Sequence, residues 1–161
     1  SKTYAMTGWR IGYIGGHKNI VKAISKLQGQ STSCPNSIAQ HAAITALTGD
    51  QSCVKQMKAL FLKRRNLILK EISKIPNITC EIPNGAFYVF PDFSYYINTK
   101  NKFIKDSHDL SLYFLEKTGV VTVPGESFGS QGNIRFSYAT SEEIIIKAIK
   151  LVHSSLLNLS F

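Results

Sequence analysis

The chain has 161 residues, 19 Lys/Arg against 10 Asp/Glu, a formal net charge of +9 and 43% apolar residues. That length can bury one ordinary core, and no apolar run reaches the length of a membrane span or opens the chain as a signal peptide. The three cysteines (Cys34, Cys53, Cys80) lack metal-type spacing and the four histidines are scattered, which argues against a zinc site and for reduced thiols in a cytoplasmic protein.

In chain order, residues 10–14 predict a strand, closed by Gly15-Gly16. His17 to Gln28 has helical spacing through Ile20, Val21, Ile24 and Leu27. Ser31 to Asn36 is a polar turn cluster. Asn36 or Ser37 is then placed to cap a helix from Ile38 to about Leu47, ending near Gly49. A long helix is expected from about Gln51 to Ser73, with an apolar stripe of Val54, Met57, Phe61, Ile68 and Ile72 interrupted by Arg65, and Pro76 marks its end.

Beyond Pro76 the texture changes to short extended stretches: 79–82, 86–90, 120–123 and 134–138. A helix over 106–117 lies among them. Residues 92–106 read as a mobile surface loop. The last helix begins at Thr140 or Ser141, where Thr140-x-x-Glu143 forms a capping box, and runs to about Leu157 with Ile145, Ala148, Ile149, Val152 and Leu156 on its apolar side. No internal repeat or low-complexity tract occurs.

The charge excess is uneven. Residues 53–76 hold seven Lys/Arg against Glu71 alone, whereas residues 77–161 carry seven basic and eight acidic side chains. A basic helix can bind phosphate backbones, but a solvated face is the commoner cause, and no nucleic-acid motif accompanies it. Neither nucleic acid nor membrane is expected as a partner. Phosphate loops and nucleophile elbows are absent as well, which disfavours kinase and hydrolase readings.

Three residues have the surroundings that amino-acid chemistry requires. Lys2 opens the stretch Ser1-Lys2-Thr3-Tyr4-Ala5-Met6-Thr7-Gly8-Trp9-Arg10-Ile11-Gly12-Tyr13, and Arg135 sits in Asn133-Ile134-Arg135-Phe136-Ser137. A Schiff-base lysine must present a neutral amine. A phosphate group is held well by a planar guanidinium, and so is a carboxylate. Gly8 and Gly12 leave room for close approach of backbone to a ligand or strand.

Both stretches resemble motifs of the class I/II, fold type I aminotransferases, in the branch with bacterial aspartate and aspartate/prephenate enzymes. The resemblance runs from Ser1 to about Leu157 and places the chain at the C-terminal part of such a protein. It implies an α/β fold: the end of the large cofactor domain (1–52), an interdomain helix (53–76) and the small C-terminal α/β domain (77–161), a partial three-layer arrangement.

The resemblance also implies roles. Lys2 would be the catalytic lysine that forms the Schiff base with pyridoxal 5'-phosphate, and Arg10 would bind the cofactor phosphate. Arg135 would grip the substrate α-carboxylate. Phe87, in Pro83-Asn84-Gly85-Ala86-Phe87-Tyr88, has two readings, a ring near the substrate and an ordinary core aromatic. Residues 31–40 match a segment of the family's homodimer interface; Asn36 there reads as a helix cap, not a substrate contact. No metal is implied. The implied reaction moves the amino group of an amino acid, aspartate first and prephenate or aromatic substrates next, to a 2-oxo acid. The other reading is a truncated, non-catalytic piece that serves as a folded or partner-binding domain. By the resemblance, groups needed for turnover lie outside this stretch, so the isolated chain is expected to be inactive.

Overall fold

The computed structural model describes residues 1–98 and 103–159. The chain divides into two compact units, Ser1–Lys58 and Ala59–Phe161.

The first unit is mostly helical. A short 3-10 turn, Thr7–Trp9, is followed by helix α1 (Lys18–Ser31) and helix α2 (Ser37–Thr48). His17 caps α1 by accepting from the Asn19 amide, and Asn36 caps α2 by accepting from the Ala39 amide at 3.1 Å. These side-chain acceptors satisfy amides that a helix start leaves unpaired. Helix α3 (Ser52–Ile72) runs across the boundary between the two units.

Residues 10–14 are not a strand: the described backbone from Ile11 to Gly16 forms no ladder. Alternation of side chains is a local property, but a strand exists only where a second segment accepts and donates its hydrogen bonds. No described segment does so here.

The second unit holds the main core. Its remaining elements are strand β1 (Tyr88–Val89), helix α4 (Ser94–Asn98), helix α5 (Ser107–Thr118), strand β2 (Val123–Pro124), a 3-10 turn (Gly125–Phe128), strand β3 (Ile134–Ser137) and helix α6 (Glu142–Leu157). The sheet is antiparallel in the order β1-β3-β2, with Tyr88 opposite Ser137 and Val123 opposite Arg135. The stretch expected as a strand at 79–82 contributes only a bridge from Thr79 to Asp92, which itself bridges to Asn133. The result is a mixed α/β fold dominated by helix.

Packing follows the sequence periodicities. Ile68 and Ile72 of α3, Leu110 and Phe114 of α5, and Ile145, Ile149, Val152 and Leu156 of α6 converge with Val89, Ile134 and Phe136 of the sheet. Phe93 and Phe114 are wholly buried, with ring centroids 5.7 Å apart. Burying a side chain of that size contributes about 1.5–3 kcal/mol. The α3 stripe is shorter than its sequence suggests, because Met57 is exposed and the helix buries only its C-terminal turns.

Residues 92–106 are not simply a surface loop. Phe93, Tyr96, Ile97 and Ile104 are buried, and Tyr96 donates its hydroxyl hydrogen to the Pro76 carbonyl at 2.8 Å. Residues 99–102 of that stretch lie outside the described residues. Of the two starts offered for α6 the structure takes Ser141, whose hydroxyl, in place of the Thr140 capping box, accepts from the Ile144 amide. One residue of register decides which hydroxyl faces the open amides at the helix start.

Candidate functional site

The two arginines and the lysine singled out by sequence fall in different units. Lys2 and Arg10 belong to the first, Arg135 and Phe87 to the second, and each pair is described within its own unit.

In the first unit, residues 1–10 form a folded segment despite their exposure. The Met6 amide donates to the Ser1 carbonyl at 2.7 Å, and the Ala5 amide to the Lys2 carbonyl at 3.1 Å. Tyr4 fastens the segment by donating its hydroxyl hydrogen to Gln51 Oε1 at 2.8 Å. Gln51 in turn donates to the carbonyls of Ala46 and Gly49, at 3.0 and 2.8 Å. The lysine-bearing turn is therefore tied to the connection between α2 and α3, a contact that the sequence alone did not signal.

Ala5 and Arg10 both adopt left-handed backbone, with φ of 53° and 52°. Each such non-glycine residue costs about 1–3 kcal/mol. At Arg10 this conformation ends the Thr7–Trp9 turn. Its Nη1 donates to the Thr7 carbonyl at 3.1 Å, which leaves most of the guanidinium hydrogens available. Ala5, Gly8, Trp9, Arg10, Asn36, Ile38 and Ala39 border an open hollow of about 620 Å³; Lys2 does not border it.

In the second unit, Arg135 lies in the middle strand, half-buried. Its Cζ stands 4.4 Å from the centre of the Tyr88 ring and 4.6 Å from that of Phe128. Cation–π contacts of this kind contribute about 0.5–2 kcal/mol each, depending on desolvation. The ion pairs among the described residues are Lys63–Glu142 and Lys74–Glu71, so neither Arg135 nor Arg10 has a carboxylate partner there. Phe87 packs inward: its ring centre is 6.1 Å from Phe61 and 4.3 Å from Tyr88, at the edge of the core.

The Phe128 loop is held from below. Glu126 accepts from the Ser107 amide at 3.2 Å and from the Ser107 hydroxyl, while that hydroxyl oxygen accepts from the Gly125 amide at 2.8 Å. Only glycine fits at 125, since a Cβ there would come within 2.2 Å of the Ser130 carbonyl oxygen and 2.4 Å of that of Asn133. A nearby group of Asp106, His108 and Asp109 has metal-like proximity. Its carboxylates are engaged otherwise: Asp106 caps α5 through the Asp109 amide, and Asp109 accepts from the Lys105 amide.

These features define an α/β protein whose four guanidiniums, Arg10 and Arg135 among them, lack carboxylate partners among the described residues. Comparison with known proteins gives the family. The model of class I and II aminotransferases matches residues 1–151. The chain is 45% identical over 160 residues to an aspartate/prephenate aminotransferase of Nitrosomonas europaea, covering 97% of this chain and 40% of that protein. Its structure resembles the crystal structure of aspartate aminotransferase from Rhizobium meliloti, with a TM-score of 0.90 at 40% identity, covering 99% of this chain and 40% of that one. An aromatic aminotransferase from Pyrococcus horikoshii follows with a TM-score of 0.88 at 31% identity, covering 98% of this chain and 41% of that one. The chain belongs to the class I and II aminotransferase family, and it spans about 40% of the length of the curated relatives it matches. The family depends on pyridoxal phosphate.

For that cofactor's phosphate the fit rests on Arg10, since Lys2 does not border the hollow beside it. Arg10 offers guanidinium hydrogens beside an open hollow, within the same folded segment that carries the Lys2 amine. A dianionic phosphate is a natural ligand for such a cation.

Proposed function

We propose that this chain supplies the lysine, the phosphate-binding arginine and the carboxylate-binding arginine of an aminotransferase that moves the amino group of an amino acid, aspartate first, to a 2-oxo acid. The observation that carries the reading is Arg135, a half-buried cation flanked by two aromatic rings with no carboxylate partner among the described residues. A cation so placed is completed by an anion from outside, and a substrate α-carboxylate matches its bidentate fork. That the relatives are named for aspartate and for aspartate/prephenate supports the choice of donor.

When bound, pyridoxal 5'-phosphate supplies an electron-withdrawing ring that stabilises negative charge at the substrate Cα. The protein contributes the rest. Arg10 holds the phosphate by charge-assisted hydrogen bonds. Lys2 would hold the cofactor through Nζ, and the same amine would take and return a proton at the substrate Cα as general base and acid. Arg135 fixes the α-carboxylate and so orients the Cα–H bond. Phe87 is assigned a place near the substrate, alongside its packing on Phe61 and Tyr88.

The same reading assigns residues 1–52 to the large cofactor domain, 53–76 to an interdomain helix and 77–161 to the small domain. It makes 31–40 part of a homodimer interface and the cytoplasm the place of action, which suits three free cysteines. No helix among the described residues is long and apolar enough to cross a membrane. By this reading the isolated 161-residue chain binds ligands without turning over.

One observation favours a second reading, a non-catalytic domain that binds a partner. The apolar positions of α1 and its approach are open to solvent: Tyr13 is 83%, Ile20 58% and Leu27 72% exposed. Each is an apolar side chain that contact with another surface would bury.

The two readings separate on phosphate recognition. Equilibrium dialysis of the chain against pyridoxal phosphate and against pyridoxal is expected to show tighter binding of the phosphorylated form, with the difference lost in Arg10→Ala. Equal affinity for both compounds in the unaltered chain would mean that this stretch does not recognise the phosphate by itself, and would contradict the assignment of Arg10 as its ligand within the isolated chain.

A further inference from the structure

We propose that Glu126 is a positioning residue for Arg135: by fastening itself to Ser107 it sets the turn that lays Phe128 against the guanidinium. This rests on the reading of Arg135 as the anion-binding residue and adds to it the part that holds that residue in place.

The bonds run in one direction. Ser107, the first residue of α5, is wholly buried and offers two hydrogens to one carboxylate. Its amide donates to Glu126 Oε1 at 3.2 Å, and its hydroxyl donates to Oε2. A serine hydroxyl has a single hydrogen. With that hydrogen committed to Glu126, Ser107 Oγ is left to accept, and the Gly125 amide donates to it at 2.8 Å. Glu126 thus orients the Ser107 hydroxyl and, through it, holds the residue before itself. A carboxylate acceptor makes such bonds stronger than a neutral one does. Among the described residues Glu126 enters no ion pair, so its charge is directed to Ser107.

The turn so held is the one on which the surroundings of Arg135 depend. The Gly129 amide donates to the Glu126 carbonyl at 3.1 Å and the Ser130 amide to the Gly125 carbonyl at 3.0 Å, which closes the turn around Phe128. Ser130 Oγ donates to Asn133 Oδ1 at 2.6 Å, and Asn133 Nδ2 donates to the Phe90 carbonyl at 2.7 Å. Arg135 follows two residues later, opposite Val123. The Phe128 ring centre lies 4.6 Å from Arg135 Cζ, yet the residue is 49% exposed. Packing therefore covers only part of the ring, and its place depends on the backbone beneath it. Tyr88, the other ring on Arg135, is held separately, by the pairing of β1 with β3.

The test is NMR of the 161-residue chain, following the Arg135 Nε–Hε resonance alone and in a titration with succinate. In the unaltered chain the resonance is expected to carry a ring-current shift and to respond to succinate. Phe128→Leu measures the part of that shift due to the Phe128 ring. Glu126→Ala should lose a comparable part and weaken succinate binding by about fivefold, the scale of one cation–π contact, while the Tyr88 resonances stay in place. Glu126→Gln keeps an acceptor for one of the two bonds and should fall between. Ser107→Ala should act in the same direction and, joined to Glu126→Ala, should add nothing, because both break one chain of bonds. An Arg135 shift and succinate affinity unchanged in Glu126→Ala and Glu126→Gln, with the amides of 125–130 displaced, overturns the proposal: Glu126 then braces the turn and nothing more. An unaltered chain whose Arg135 resonance ignores succinate overturns instead the anion-binding reading of Arg135, on which the proposal rests.

Discussion

The Tyr138 hydroxyl donates to the carbonyl of Ala86 at 3.0 Å, joining the end of β3 to a loop 52 residues earlier in the chain. Ala86 is one of the few non-glycine residues with positive φ, at 62°, so this bond holds a conformation the backbone would not choose alone. Tyr138→Phe removes the bond and keeps the ring. It is expected to lower stability by about 0.5–1.5 kcal/mol and to speed amide exchange at Phe87 and Tyr88, measured by urea unfolding and hydrogen exchange.

The same tyrosine bears on alkaline stability. Burial pushes the hydroxyls of Tyr138, Tyr113 and Tyr96 up from the ordinary 10.0. Groups that hold their protons more tightly folded than unfolded give stability that is complete below the unfolded value and lost as pH climbs through the folded one. Unfolding midpoints in urea should therefore fall above about pH 10, and less steeply in Tyr113→Phe.

Phe114 is wholly buried, with its ring 5.7 Å from Phe93 and 6.5 Å from Phe136. Phe114→Ala is expected to cost about 3–5 kcal/mol, a large part of the stability of a domain this size. Thermal unfolding checks it: a melting point within a few degrees of the unaltered chain would contradict the central place of this ring in the core.

The cap of α6 gives a sharper comparison. Ser141→Ala should lose about 1 kcal/mol, because its hydroxyl accepts from the Ile144 amide. Thr140→Ala should change stability far less. Equal losses would restore the capping box that the sequence suggested.

Thiol chemistry separates the cysteines. Cys34 and Cys53 are exposed, whereas Cys80 is partly buried and desolvation pushes its thiol up from 9.0. Titration with a disulfide reagent at neutral pH should show two fast thiols and one slow one, since the thiolate is the reacting form. Cys80→Ser should remove only the slow phase.

The helices were legible because their signals are local. His17 and Asn36 cap α1 and α2 where polar residues precede helical spacing, and α5 starts directly after Asp106. Strands were harder. Residues 10–14 alternate as a strand does, yet pairing depends on a second segment that the alternation does not reveal. In 92–106 the polar and aromatic texture hid a usable sign: Phe93, Tyr96 and Ile97 stand three and four apart, and all three are buried.

The candidate site divides in the same way. Lys2, Arg10 and Arg135 could be singled out because each lies in a compact run of residues whose chemistry is readable. The tie from Tyr4 to Gln51 and the two rings on Arg135 could not, since each joins residues far apart in sequence through a fold the chain must first adopt.

The most direct test of the account is to add pyridoxal phosphate to the chain, reduce with borohydride and map the modified lysine by mass spectrometry. Modification concentrated on Lys2, and diminished in Arg10→Ala, is the expected result. Modification spread over Lys63, Lys70 and other surface lysines, with Lys2 no more reactive than they are, would contradict the assignment of Lys2 as the cofactor lysine.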